Sequence, residues 1–140
     1  MAGLNRFTRK FWPGSIWAGL ILLLTGLPGN YFPDVESFWD WVSPDKLVHF
    51  FIFGVFTFLT LWGYRAQYKL PARRYYLVGF ATLLGIFYGG VTEILQEMVF
   101  TGRYGNVFDF LANAIGAILG SAVYMLLARK NKKENASFLE

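Results

Sequence analysis

The chain has 140 residues, of which 55% are hydrophobic and 16% are charged, with a formal net charge of +4. A soluble domain carries about 25% charged residues spread over its surface, whereas these charges lie in short islands between apolar runs. The pattern argues against a soluble domain, and also against a nucleic-acid binder, which needs a folded basic face. The absence of cysteine excludes disulfides and thiolate metal sites.

Four apolar runs, each long enough for a helix to cross the roughly 30 Å hydrocarbon core, follow one another along the chain. The predicted membrane spans are residues 11–29, 46–64, 75–100 and 108–128. The first run follows basic residues, as in a signal peptide, but it lacks a small-residue cleavage site and three more runs follow. The sequence therefore predicts an all-α integral membrane four-helix bundle in one domain, 1–130. We expect the polar cytoplasmic tail, 131–140, to be disordered.

The basic residues set the predicted orientation. All Lys and Arg residues except Lys46 and Arg103 lie before the first span, between the second and third spans, or after the fourth. The loop at positions 30–44 carries acidic residues and no basic ones. By the positive-inside rule both termini are cytoplasmic, N-in and C-in. We expect a multi-pass protein of the bacterial cytoplasmic (inner) membrane.

The same outer loop contains a predicted short amphipathic helix over residues 33–42, because its apolar side chains recur at helical spacing. This helix lies on the outer membrane surface, with Trp39 and Trp41 among the headgroups, or packs as a lid over the bundle, and the two arrangements are compatible. Ser43 and Pro44 favour the start of the second span, as N-cap and first helical residue.

Polar residues occupy the outer half of the last three spans, where an ionisable side chain is costly unless it has a partner or a function. Most of them recur three or four residues apart, which places them on one helix face. The candidate binding residues are Asp45, Lys46, His49, Glu93, Gln96, Arg103, Asp109 and Asn113. Of these, His49, Glu93 and Asp109 are the candidates for acid–base catalysis.

The residues at the start of the fourth span, and two glycines inside that span, have sequence patterns that predict helix capping and helix packing. Asn106 is the expected N-cap, with Asp109 as its partner in a capping box. Arg103 is suited to bidentate contact with a carboxylate or a lipid phosphate. Gly116 and Gly120, at four-residue spacing, predict close packing against a neighbouring helix.

In order and spacing, the polar positions resemble the signature of the VanZ-like family of small bacterial membrane proteins. The matching positions are Asp45-Lys46-x-x-His49, Glu93-x-x-Gln96, Arg103 and Asp109-x-x-x-Asn113-x-x-Gly116-x-x-x-Gly120. The chain departs from the family at Phe53, where tyrosine is frequent, and at Asn106, where an acidic residue is frequent. The resemblance implies a membrane protein of the cell envelope. The founding member is associated with low-level resistance to teicoplanin, a glycopeptide with a fatty-acyl tail that acts at the outer face.

Several functions remain open. In the first hypothesis, the protein binds a lipid headgroup, a lipid-linked envelope intermediate or the lipoglycopeptide itself. In the second, it is a membrane-embedded enzyme that acts on lipid or cell-wall precursor by His/Glu/Asp acid–base chemistry. Proton-coupled transport through Glu93 and His49, and a cluster that only locks the helices together, are further alternatives. His49 and Asp45 offer N and O ligands to a divalent metal. With one histidine and no dense ligand motif, however, the sequence predicts no metal site and no cofactor.

Overall fold

The computed structural model describes the backbone of residues 2–26, 44–99 and 105–137, and side chains within 10–26, 44–99 and 105–130. All regular structure in these segments is helical, which confirms the all-α prediction there. The helices are α1 (Ala2–Thr25), α2 (Pro44–Gly63), α3 (Arg65–Tyr68), α4 (Pro71–Met98) and α5 (Val107–Ser137). The predicted amphipathic helix at 33–42 and the predicted N-cap Ser43 lie outside the described residues.

Proline sets where two of the helices begin. The second span starts as a helix at Pro44, as predicted, and α4 starts at Pro71 after an extended Leu70. The fixed φ of proline suits the first helical turn, where its missing N–H costs nothing.

At the other end of the chain α5 continues to Ser137. The expected disorder after residue 130 was wrong for this part, because lysine, glutamate and alanine sustain a helix that has already started.

Within the described residues, three helical segments are long and apolar enough to cross a membrane: Pro44–Gly63, Pro71–Met98 and Val107–Lys130. Only 28% to 39% of each apolar window is buried within the chain, so most of each surface needs an apolar surrounding. The described apolar part of α1, Lys10–Thr25, is shorter, and the predicted first span ends at residue 29, beyond the described segment. The second, third and fourth predicted spans are thus confirmed as span-capable helices, while the first span and the orientation stay predictions.

Helix α1 packs against α2 and α4. The Trp17 Nε1–H donates to the carbonyl of Ile52 (2.8 Å), and the Tyr88 hydroxyl donates to the carbonyl of Ala18 (2.7 Å). Ile21 is fully buried in a core cluster shared with α2. These contacts make α1 part of the same helical assembly.

Small residues bring α5 close to its neighbours. A Cβ atom added to Gly120 would overlap the carbonyl of Gly54, and one added to Gly116 would likewise overlap the α2 backbone. On the other side, a Cβ added to Gly89 of α4 would lie 2.8 Å from the Cβ of Asn113. Larger side chains at these glycines would separate the helices, so the predicted packing role is confirmed.

The two ends of the assembly differ in charge. Helices α2 and α5 begin, and α4 ends, at one end, which carries Asp45, Glu93 and Asp109 and which we name the polar end. The opposite end is basic. There the guanidinium groups of Arg65 and Arg74 lie over aromatic rings, 4.5 and 5.2 Å from the ring centroids. The buried acidic and amide side chains of the described residues therefore lie at one end of three apolar helices.

Candidate functional site

Side chains from α2, α4 and α5 converge at the polar end. The polar cluster consists of Asp45, His49, Glu93, Asp109 and Asn113. Four-residue spacing places its members on one face of α2 and on one face of α5, and Glu93 approaches them from the last turns of α4. All except Asp45 are at most 7% exposed. The cluster is thus buried, with Asp45 at its surface.

Asn113 joins His49 to Glu93. Its side-chain nitrogen donates to Glu93 Oε1 (3.1 Å), and its Oδ1 lies 3.0 Å from His49 Nδ1. Because an amide oxygen only accepts, His49 Nδ1 carries the proton of this hydrogen bond. In the neutral ring Nε2 then keeps its lone pair. Glu93 thereby controls, through Asn113, which nitrogen of His49 is protonated.

The second oxygen of Glu93 holds the start of α5. The backbone N–H of Asn106 donates to Glu93 Oε2 (3.1 Å), while the Asn106 side chain accepts from the N–H of Phe108 (2.9 Å). Asn106 is therefore the N-cap, as predicted. The capping-box role expected for Asp109 was wrong, because Glu93 of another helix takes the Asn106 N–H.

On the other side of His49 lies a second arrangement, the Asp–His–Asp group of Asp45, His49 and Asp109. His49 Nε2 is 3.8 Å from Asp45 Oδ1, and each residue offers one atom within 4.8 Å of the others. The Asp45 side chain is 57% exposed. Asp109 is buried, and its Oδ1 has no hydrogen-bond partner among the described residues. The group thus extends from the exposed Asp45 to the buried Asp109, whose Oδ1 can still accept a hydrogen bond or bind a cation.

A comparison with protein families bears on this site. The sequence model of the VanZ/LLP1 family matches residues 7–128, which contain the whole polar cluster and most of α1. The chain belongs to the VanZ-like family. The resemblance predicted from scattered polar positions is therefore confirmed. No curated protein and no solved structure matches the chain.

The remaining predicted site residues of this VanZ-like chain have different positions. Gln96, near the end of α4, is buried. Lys46 is half-buried and lies close enough to Asp109 to attract its carboxylate. Arg103 lies outside the described residues. The structure thus gathers most of the predicted residues at one end of the VanZ-like fold.

Glu97 was not among the predicted site residues. Its carboxylate accepts the N–H of Gly105 (2.8 Å), beside the contact that Glu93 makes with Asn106. The signal that could have found it is its four-residue spacing from Glu93, which directs both carboxylates toward the start of α5. The Glu97 side chain is exposed, so its part is to hold the turn.

The charge and hydrogen bonding of the cluster limit its chemistry. Its three carboxylates and the neighbouring Lys46 leave an excess of negative charge, which favours cations, amines and hydroxyl donors. His49 Nε2, with its lone pair, can accept a proton or bind a metal. The arrangement therefore supports the binding of a polar or charged group and offers one general base.

Proposed function

We propose that this VanZ-like membrane protein binds the polar headgroup of a membrane lipid, or of a lipid-linked envelope intermediate, at the polar cluster. One observation carries the proposal: a buried set of hydrogen-bonding side chains reaches the surface at Asp45, on helices whose outward faces are apolar. Helix packing requires no carboxylate at Asp45 or Asp109, and an ionisable side chain costs free energy in an apolar segment.

The surface beside the cluster suits acyl chains. Leu47 and Val48 of α2 and Phe108 and Leu111 of α5 are between 47% and 62% exposed. A lipid lying along these helices places its chains on these side chains while its headgroup reaches Asp45. Amines and hydroxyl groups of the headgroup match the carboxylates of the cluster.

The test is the lipid retained by the purified, full-length protein, measured by native mass spectrometry. We expect His49→Ala and Asp109→Asn to lower retention at least about tenfold, the equivalent of one lost charge-assisted hydrogen bond. The matched control is Glu97→Gln, the same loss of charge at an exposed carboxylate outside the cluster. Equal retention in all four proteins would overturn the proposal.

A second candidate is an enzyme that acts on the same class of molecule. The observation favouring it is the fixed orientation of His49, whose Nδ1–H is held by Asn113 so that Nε2 is free to act as a general base. Proteoliposomes supplied with phospholipids or lipid-linked cell-wall precursors would then form a new product, detectable by mass spectrometry. Product formation that is lost in His49→Ala, with lipid retention kept, would establish catalysis over binding alone.

The proposal includes a topology of four spans with both termini in the cytoplasm, in the bacterial inner membrane. It is supported by the basic end opposite the polar cluster, and by α1, whose Lys10 lies beside Gly63 at that basic end. The chain contains no cysteine, so single cysteines can be placed without background. An impermeant thiol reagent should label Val99→Cys from outside and Ala66→Cys only after permeabilisation. Labelling in the reverse order would contradict the orientation.

A contribution to teicoplanin resistance is the part of the proposal that rests on the family alone. If the polar cluster takes part, expression of the chain should raise the inhibitory concentration of teicoplanin, and Asp109→Asn should abolish the increase. An increase that persists in this variant would separate resistance from the cluster.

A further inference from the structure

We propose that the Asp–His–Asp group binds a divalent transition-metal cation such as Zn²⁺ or Mn²⁺. The ligands are His49 Nε2 and one carboxylate oxygen each from Asp45 and Asp109, a mixed N and O set that suits these ions. The site does not depend on the proposed lipid function, because metal binding is measurable with the metal alone.

The spacing of the three side chains fits one cation. Ligands about 2.1 Å from a shared metal lie at most about 4.2 Å from one another. His49 Nε2 and Asp45 Oδ1 are 3.8 Å apart, and all three donor atoms lie within 4.8 Å of one another. Side-chain rotations of a few tenths of an ångström would close the remaining distance, and the exposed Asp45 has room for them.

The unpartnered oxygen of Asp109 points independently to a ligand. A buried carboxylate oxygen without a hydrogen bond loses its hydration and receives nothing in return. Asp109 is 6% exposed, and its Oδ1 has no partner among the described residues. Glu93, equally buried in the same cluster, has a donor on each oxygen. A cation bound to Asp109 supplies the missing interaction.

The contacts behind His49 are those expected of a metal ligand. A histidine that binds a metal through one ring nitrogen almost always donates the other N–H to a fixed acceptor. Here the acceptor is Asn113 Oδ1, and Asn113 is in turn held by Glu93. This relay aims Nε2 toward Asp45, at the place where the cation would lie.

The charges also match. Among the described residues, the three carboxylates of the polar cluster and the nearby Lys46 carry a net charge of −2 when His49 is neutral, and a divalent cation cancels it. Lys46 competes for Asp109, but a half-buried ammonium is a weaker partner than a directly bound cation. Three protein ligands also leave coordination positions for water or for a phosphate oxygen.

The experiment measures metal bound to the full-length protein, purified in detergent without a histidine tag and stripped with a chelator. After dialysis against ZnCl₂ or MnCl₂, elemental analysis should find one equivalent per wild-type chain. Asp45→Asn should weaken binding at least about tenfold, and Asp109→Asn and His49→Ala should abolish the stoichiometric site. Because Asp45 is exposed, Asp45→Asn tests the site without endangering the fold.

Glu97→Gln is the matched control and should keep the full equivalent. If the metal were held loosely by surface carboxylates, Glu97→Gln would lose metal as well. With Mn²⁺ bound, electron spin resonance should show coupling to one imidazole nitrogen that disappears in His49→Ala. Absence of a stoichiometric site in the wild type, or unchanged affinity in both Asp45→Asn and His49→Ala, would overturn the proposal. A protein that binds the metal but retains no lipid contradicts only the lipid function, and the reverse result contradicts only the metal site.

Discussion

Two carboxylates are buried at the polar end of this protein, and their surroundings differ. Both oxygens of Glu93 accept hydrogen bonds, one from Asn113 and one from the backbone of Asn106. Asp109, on the facing helix, leaves Oδ1 without a partner among the described residues. Buried polar groups that stabilise a fold are almost always satisfied. The contrast supports a structural role for Glu93 at the α4–α5 junction and the proposed ligand-binding role for Asp109.

The largest expected effect is the loss of stability in Glu93→Gln. The new amide nitrogen must face either Asn113 or the N–H of Asn106, so one donor loses its acceptor inside the bundle. We expect the free energy of unfolding to fall by about 3 kcal/mol, measured by tryptophan fluorescence during denaturation in detergent. A fall of less than about 1 kcal/mol would remove the structural role of Glu93.

Asn113→Ala should cost about 2 kcal/mol, because it deprives both His49 and Glu93 of a buried partner. The tautomer of His49 gives a second and more specific measurement for this variant. The chain has a single histidine, so nitrogen NMR reports its tautomer without overlap. The wild type should show the proton on Nδ1 in the neutral ring, and Asn113→Ala should show a mixture. The same tautomer in both proteins would break the proposed relay from Glu93 to His49.

Asp109→Asn should change the stability of the metal-free protein by less than about 1 kcal/mol, and any change should be an increase. The substitution keeps the shape of the side chain and removes a buried charge whose Oδ1 has no partner. The attraction of its carboxylate to His49 and to the half-buried Lys46 is lost, while its repulsion by Asp45 and Glu93 is relieved, so the net electrostatic change is small. Denaturation in the presence of a chelator is the measurement. If the free energy of unfolding fell as much as in Glu93→Gln, Asp109 would have the same structural role as Glu93, and the proposed difference between the two carboxylates would be wrong.

Glu97→Gln should have the smallest effect. Among the described residues, its carboxylate accepts only the N–H of Gly105, and the side chain is exposed, so water can replace the lost interaction. We expect a decrease of less than about 1 kcal/mol in the free energy of unfolding. A larger decrease would show that the turn before α5 depends on Glu97 as well as on Glu93.

Much of this arrangement could be predicted from the sequence, because it depends on local patterns. Long apolar runs predicted the three span-capable helices, and Pro44 and Asn106 marked where two of them begin. Polar residues within apolar runs are rare enough to identify the cluster directly. Spacing on one helix was sufficient to place Asp45 with His49 and Asp109 with Asn113.

What could not be predicted depends on how the helices are rotated against each other. A capping box is a local pattern, so the sequence predicted Asp109 as the partner of the Asn106 N–H. In the structure, that N–H donates to the carboxylate of Glu93 on α4 instead. The close approach of Asp45 and Asp109 joins helices far apart in the sequence and has no motif. The sequence predicted no metal site because it has one histidine and no dense ligand motif.

The most direct test of this account is the unfolding temperature of the wild type and of Asp109→Asn, each measured with a chelator and with Mn²⁺. A ligand that binds only the folded state raises its stability. Mn²⁺ should therefore raise the unfolding temperature of the wild type and leave that of Asp109→Asn unchanged, while the variant with chelator is at least as stable as the wild type. A variant that is strongly destabilised, with no response to Mn²⁺ in either protein, would show that Asp109 is a structural residue like Glu93.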